Sequence, residues 1–203
     1  MAKSLSTSYS PVEVLNASAN SWGPRNQLAF VRRFGTFGAR TLVLLLNTDD
    51  LFAGPPSSVV VGRSRFYPAS KPNGAIAEVL SRYLFPPPPE PSLPQETGDI
   101  VGHNLEAIRQ LQQLARSANS QFLLAITPLQ RETSPSGPRD YELRARERLH
   151  QFTQQQQIPY LDLLNAFQTH AVPATLYRDH IHLSSQGNQL VSETICQALQ
   201  QLF

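Results

Sequence analysis

The chain alternates between short, unbroken apolar runs and longer stretches in which apolar residues recur every three to four positions. The first pattern reads as strands buried on both faces, the second as amphipathic helices. "RTLVLLLNTDDL" (40–51) is the clearest strand, an apolar run that ends in turn residues. "QFLLAITP" (121–128) is a second buried strand. "VEVLNAS" (12–18) reads as a shorter one, and "IPYLDLLNAF" (158–167) as a short strand and a turn of helix. Pro24 opens a helical stretch with apolar Leu28, Phe30, Val31 and Phe34. A short amphipathic helix lies within 71–85. The strongest helix, 99–119, places Leu105, Ile108, Leu111 and Leu114 on one face. Residues 135–157 give a loop and a helix, and the arginines 144, 146 and 148, like Arg32 and Arg33, read as solvated helix faces. Ser184 or Ser185 caps the last helix. "PPPPEPSLP" (86–94) is extended, because consecutive prolines exclude helix and sheet interior. Strand–helix alternation predicts an α/β fold with a mainly parallel sheet, whose strand-end loops share one rim.

Composition narrows the picture. A length of 203 residues suits one domain with a sizeable core. Lys and Arg number 17 against 15 Asp and Glu, and no basic stripe stands out, so nucleic acid is not an expected partner. No apolar run reaches the length of a membrane span, and the N-terminal residues lack a signal-length apolar stretch, so a cytoplasmic location is expected. The single cysteine, Cys196, cannot form an internal disulfide and reads as a small buried apolar residue.

Three predicted strand-end loops are polar: "NASANSWG" (16–23), "NTDDL" (47–51) and "RDHIHL" (178–183). The last holds two of the five histidines. Asp-x-x-His spacing lets the Asp179 carboxylate reach Nδ1 of His182, which fixes the tautomer and leaves Nε2 to accept a proton. The competing readings are a turn cap beside a surface histidine, or a metal set completed by His180. No further His, Cys or Glu cluster has metal spacing.

"DHIHLSSQGNQLV" closely resembles the last sequence block of the SGNH, or GDSL-like, hydrolases: Asp-x-x-His, then Leu-[Ser/Thr]-x-x-Gly and a helix. "VLNASANSWGP" is similar to their second block, and "LLLNTDDL" stands where their third, Gly-x-Asn-Asp, is expected. The order of the three blocks agrees, and the resemblance covers almost the whole chain. It implies a flavodoxin-like, three-layer α/β/α sandwich and ester hydrolysis through an acyl-enzyme, with a small-molecule or acyl-ester substrate and no cofactor. Residues 1–203 then form one such domain, with 52–98 as a loop and helix insertion of the kind that varies within the family. His182 takes the role of general base and acid, and Asp179 that of its orienting partner. The backbone oxyanion donor falls at Ser21, where the family has glycine. The side-chain donor, an asparagine in the family, falls at Asp49. An ionised carboxylate has no hydrogen to donate, and losing one such donor costs about a hundred- to a thousandfold in rate. Asn47 takes over if the loop is remodelled; otherwise Asp49 is protonated or structural.

The first block of the family, a buried strand followed by Gly-Asp-Ser, has no counterpart in the 15 residues before Asn16. The expectation is therefore an N-terminally incomplete chain that lacks the first strand and the nucleophile. The alternatives are a non-catalytic relative that binds a ligand or protein at the same rim, and a rearranged topology using Ser64 of "SSVVVGRSRF" (57–66).

Overall fold

The computed structural model describes residues 12–59, 61–63, 68–84 and 96–202. The chain divides into two compact units, Gly54–Gly98 and the remainder. The smaller unit contains one helix, Ala75–Tyr83 (α2). The larger runs in the order α1 (Pro24–Phe34), β1 (Thr41–Asn47), a 3-10 turn (Thr48–Phe52), α3 (Ile100–Ser117) and β2 (Gln121–Thr127). A 3-10 turn (Gln130–Thr133), α4 (Asp140–Gln155), β3 (Tyr160–Asp162), α5 (Leu164–Gln168), a 3-10 turn (Pro173–Leu176) and α6 (Ser185–Leu202) complete it. The fold is α/β, as the alternation predicts. The polyproline stretch 86–94 and Ser64 lie outside the described residues, and the described part of 57–66 is turn and coil.

The sheet is parallel, in the order β1-β2-β3, with Leu44 opposite Leu124 and Ala125 opposite Leu161. Successive side chains of a strand point to opposite faces, and β2 shows the consequence. Phe122, Leu124 and Ile126 pack with Leu28 and Val31 of α1, Leu105, Ile108 and Leu111 of α3, and Leu149 of α4. Leu123 and Ala125 pack on the other side with Phe167 of α5 and Val191, Ile195, Cys196 and Leu199 of α6. Two apolar cores on either face of one sheet make a three-layer α/β/α sandwich. A strand buried on both faces needs the unbroken apolar run that β2 has.

Residues 12–18, expected as a buried strand, are coil and exposed from Glu13 to Ser18. A strand exists through ladder hydrogen bonds to a neighbour, and this segment pairs with no described strand. The outer edge of β1 likewise carries no strand among the described residues, and Leu45 in its middle is 42% exposed.

The Leu-Ser-x-x-Gly part of the last motif has a packing cause. Ser184 caps α6: its Oγ accepts the Gly187 N–H at 3.2 Å, while its own N–H donates to the Leu176 carbonyl at 2.9 Å. That carbonyl lies so close to Gly187 that a Cβ there would sit 2.1 Å from its oxygen. Backbone must move to admit any side chain. Gly187→Ala is expected to cost about 1–3 kcal/mol in urea unfolding, whereas Gln186→Ala, one residue earlier and exposed, stays within about 0.5 kcal/mol.

Candidate active site

The loop between the Pro173–Leu176 turn and α6 is held at both ends. Tyr177 and Leu183 form an antiparallel bridge, and the Arg178 N–H donates to the His182 carbonyl at 2.8 Å. Tyr177 Oη donates to the Pro128 carbonyl at the end of β2, 2.8 Å away, and the Gln130 N–H donates to the His180 carbonyl at 3.1 Å. The loop is thus tied to the C-terminal end of the central strand.

Within it, Asp179 collects three donors. The backbone N–H of His182 lies 2.8 Å from Oδ1 and that of Ile181 lies 3.0 Å away. His182 Nδ1 lies 2.8 Å from Oδ2 and 3.0 Å from Oδ1. The backbone N–H of His182, then that of Ile181, then the ring, hold the Asp179 carboxyl far below the usual carboxylate range. With Nδ1–H turned to the carboxylate, Nε2 is the ring's proton-accepting atom. It has no hydrogen-bond partner among the described residues. The pair is partly open to water, His182 at 57% and Asp179 at 41% of their side-chain surface. The His180 side chain makes no hydrogen bond to this pair and lines a cavity together with Asp49. Among the described residues no three His, Cys, Asp or Glu side chains gather as a metal set would require.

The loop after β1 is built on its own side chains. Asn47 caps the 3-10 turn: its Oδ1 accepts the Asp49 N–H at 2.9 Å, and its N–H donates to Asp50 Oδ2 at 2.8 Å. Asn47 Nδ2 is left without an acceptor among the described residues. Asp49 is exposed, and its N–H is spent on Asn47. Ser21 is exposed in a turn with φ of +61°, the left-handed region that favours glycine. It makes no hydrogen bond to the other four residues singled out from the sequence. The structure therefore joins Asp179 to His182, and Asn47 to Asp49, by direct bonds.

Asp50 is partly buried. Burial raises its pKa to about 6, against the Asn47 N–H, which lowers it, and with the neighbouring Asp49 charge adding to the rise. The folded state thus holds this proton more tightly than the unfolded chain, whose value lies near 3.8. The contribution to stability is complete below that value and is lost as pH rises through about 6. Asp50→Asn keeps an acceptor for Asn47 and removes the titration. Relative to wild type, it is expected to gain on the order of 2–3 kcal/mol between pH 4 and 7, read from urea midpoints at each pH.

Sequence reading missed the centre of the rim. Arg146, expected on a solvated face, is 5% exposed. Its Nε donates to Glu132 Oε1 at 3.2 Å, Nη1 to Asp162 Oδ1 at 2.6 Å and Nη2 to Thr48 Oγ1 at 2.8 Å. Thr48 Oγ1 in turn donates to Glu132 Oε2 at 2.6 Å, which also accepts the Leu129 N–H at 2.6 Å. Burial alone lowers the pKa of the guanidinium, but Asp162 and Glu132 more than offset this and hold it above its ordinary value. One buried cation therefore connects residues at or just beyond the ends of all three strands. The signal was present: Glu142, Ala145, Arg146, Leu149 and Thr153 form one buried stripe at helical spacing.

No helix among the described residues is long and apolar enough to cross a membrane. No curated protein matches the sequence. The family model of the GDSL-like Lipase/Acylhydrolase family matches residues 1–190. With the three-layer α/β/α fold, and with the Asp-x-x-His loop closed into a bonded carboxylate–imidazole pair, the chain belongs to the GDSL-like lipase/acylhydrolase family.

Proposed function

We propose that the protein hydrolyses ester bonds of a small-molecule substrate through an acyl-enzyme, with His182 as general base and acid and Asp179 as its orienting partner. The observation that carries this reading is the doubly contacted Nδ1–carboxylate pair with Nε2 unengaged. His182 takes the proton of a serine hydroxyl as its oxygen attacks the ester carbonyl, then returns the proton to the leaving alcohol. Water repeats the sequence on the acyl group. The attacking serine must bring its hydroxyl within hydrogen-bond reach of His182 Nε2. Asn47 Nδ2, rather than Asp49, serves as the side-chain donor to the oxyanion, with the Ser21 N–H as the backbone donor.

A fluorophosphonate probe tests this on protein isolated from its native source. The expected result is one labelled serine, located by peptide mass spectrometry, with labelling lost in His182→Ala. Absence of both labelling and ester turnover favours a second reading, a non-catalytic relative that binds a ligand at this rim. The presence of Asp49 where the family has an amide donor is the observation on that side.

A further inference from the structure

We propose that the cavity beside the dyad receives a carboxylate-bearing group of the substrate, which makes the protein selective for singly charged anionic esters. This inference rests on the esterase reading above. The cavity encloses about 630 Å³, within the range of small-molecule sites. Asp49, from the loop after β1, and His180, from between the two dyad residues, form part of its wall. Gln130, Arg131, Thr133, Ser134, Arg139 and Tyr141 supply the rest of its polar lining.

That lining is rich in donors. Arg131 Nη2 and Arg139 Nη1 both approach Tyr141 Oη at 3.4 Å. A phenol oxygen that accepts from two guanidinium groups keeps its own hydrogen for another partner. Arg131 is neutralised by buried Glu142, whose Oε2 accepts its Nη1 at 2.6 Å and the Arg139 backbone N–H at 2.8 Å. The Arg139 guanidinium has no carboxylate partner among the described residues. Two charges then face the cavity uncancelled by a contact, Arg139 and Asp49. Arg139 and the Tyr141 hydroxyl suit a planar carboxylate, which a guanidinium can bind through two parallel hydrogen bonds. Asp49, the one acidic side chain of the lining, opposes a second negative charge. Leu129, Pro135, Pro173 and Ala174 supply apolar wall for the carbon skeleton.

The experiment compares two substrates, p-nitrophenyl hydrogen succinate and its neutral methyl ester, and two binding probes, monomethyl and dimethyl succinate, by NMR titration. The wild type is expected to prefer the anion by about tenfold or more, the size of one charge-assisted contact. Arg139→Gln and Tyr141→Phe are each expected to remove that preference by lowering kcat/KM for the anion far more than for the neutral ester. Equal use of both esters, or equal slowing of both by Arg139→Gln, would overturn the site while leaving the esterase reading intact. Selective binding of monomethyl succinate with neither ester cleaved would support the site and sink the esterase reading.

Discussion

Arg146→Ala is expected to destabilise the protein by about 3–5 kcal/mol, the cost of breaking a buried ion pair from one side. Glu132 has no exposed surface and would keep only the Leu129 N–H and the Thr48 hydroxyl on its carboxylate. Asp162 would lose its 2.6 Å contact, although it stays partly solvated. For a domain of this length the loss lowers Tm on the order of 10 °C. A companion variant separates charge from packing. Glu132→Gln combined with Arg146→Met removes both buried charges and keeps most of the volume, so it is expected to be more stable than Arg146→Ala alone. If urea midpoints put Arg146→Ala within about 1 kcal/mol of wild type, the buried network is not what holds the strand ends together.

The second large effect concerns rate. His182→Ala is expected to lower kcat/KM on an activated ester by about a hundred- to ten-thousandfold, the range of one general acid–base group. Asp179→Asn is the sharper experiment. An asparagine Oδ1 still accepts the N–H groups of Ile181 and His182, so the loop keeps its shape. What disappears is the negative charge facing Nδ1 at 2.8 Å, which fixes the tautomer and stabilises the imidazolium. A loss of up to about ten-thousandfold in rate is expected, with the fold retained. The exposure of the pair places the effect toward the lower part of that range, because water screens the charge. A tenfold loss or less in both variants, on a protein that does cleave esters, would remove these residues from the mechanism.

The elements were legible where one pattern dominates. The runs 41–47 and 121–127 contain enough consecutive apolar residues to read as strands, the second of them buried along nearly its whole length, and α1, α3 and α6 show clear helical stripes. The Asp179–His182 contact was legible because only two residues of loop separate its partners, so their spacing nearly dictates their geometry. The run 12–18 misled because its residue types favour a strand, but a strand also needs a neighbour, which no local pattern contains. Arg146 misled in the opposite way. Arginine is seldom buried, and its partners Glu132, Asp162 and Thr48 come from three separate segments.

By itself, then, the sequence determined the α/β class, the strands and helices of the sandwich, the family, and the carboxylate–imidazole pair. Each depends on periodicity or on residues a few positions apart. Tertiary structure alone decided that Arg146 joins the strand ends, that the side-chain amide nitrogen of Asn47 is left unengaged among the described residues, and that Arg131, Arg139, Tyr141, His180 and Asp49 share one cavity. These depend on which strand ends the parallel sheet brings to one rim, and on burial that makes a charge tolerable only beside its partners. Residues up to about a hundred positions apart meet there, as Thr48 and Arg146 do, and no local pattern encodes a meeting at that separation.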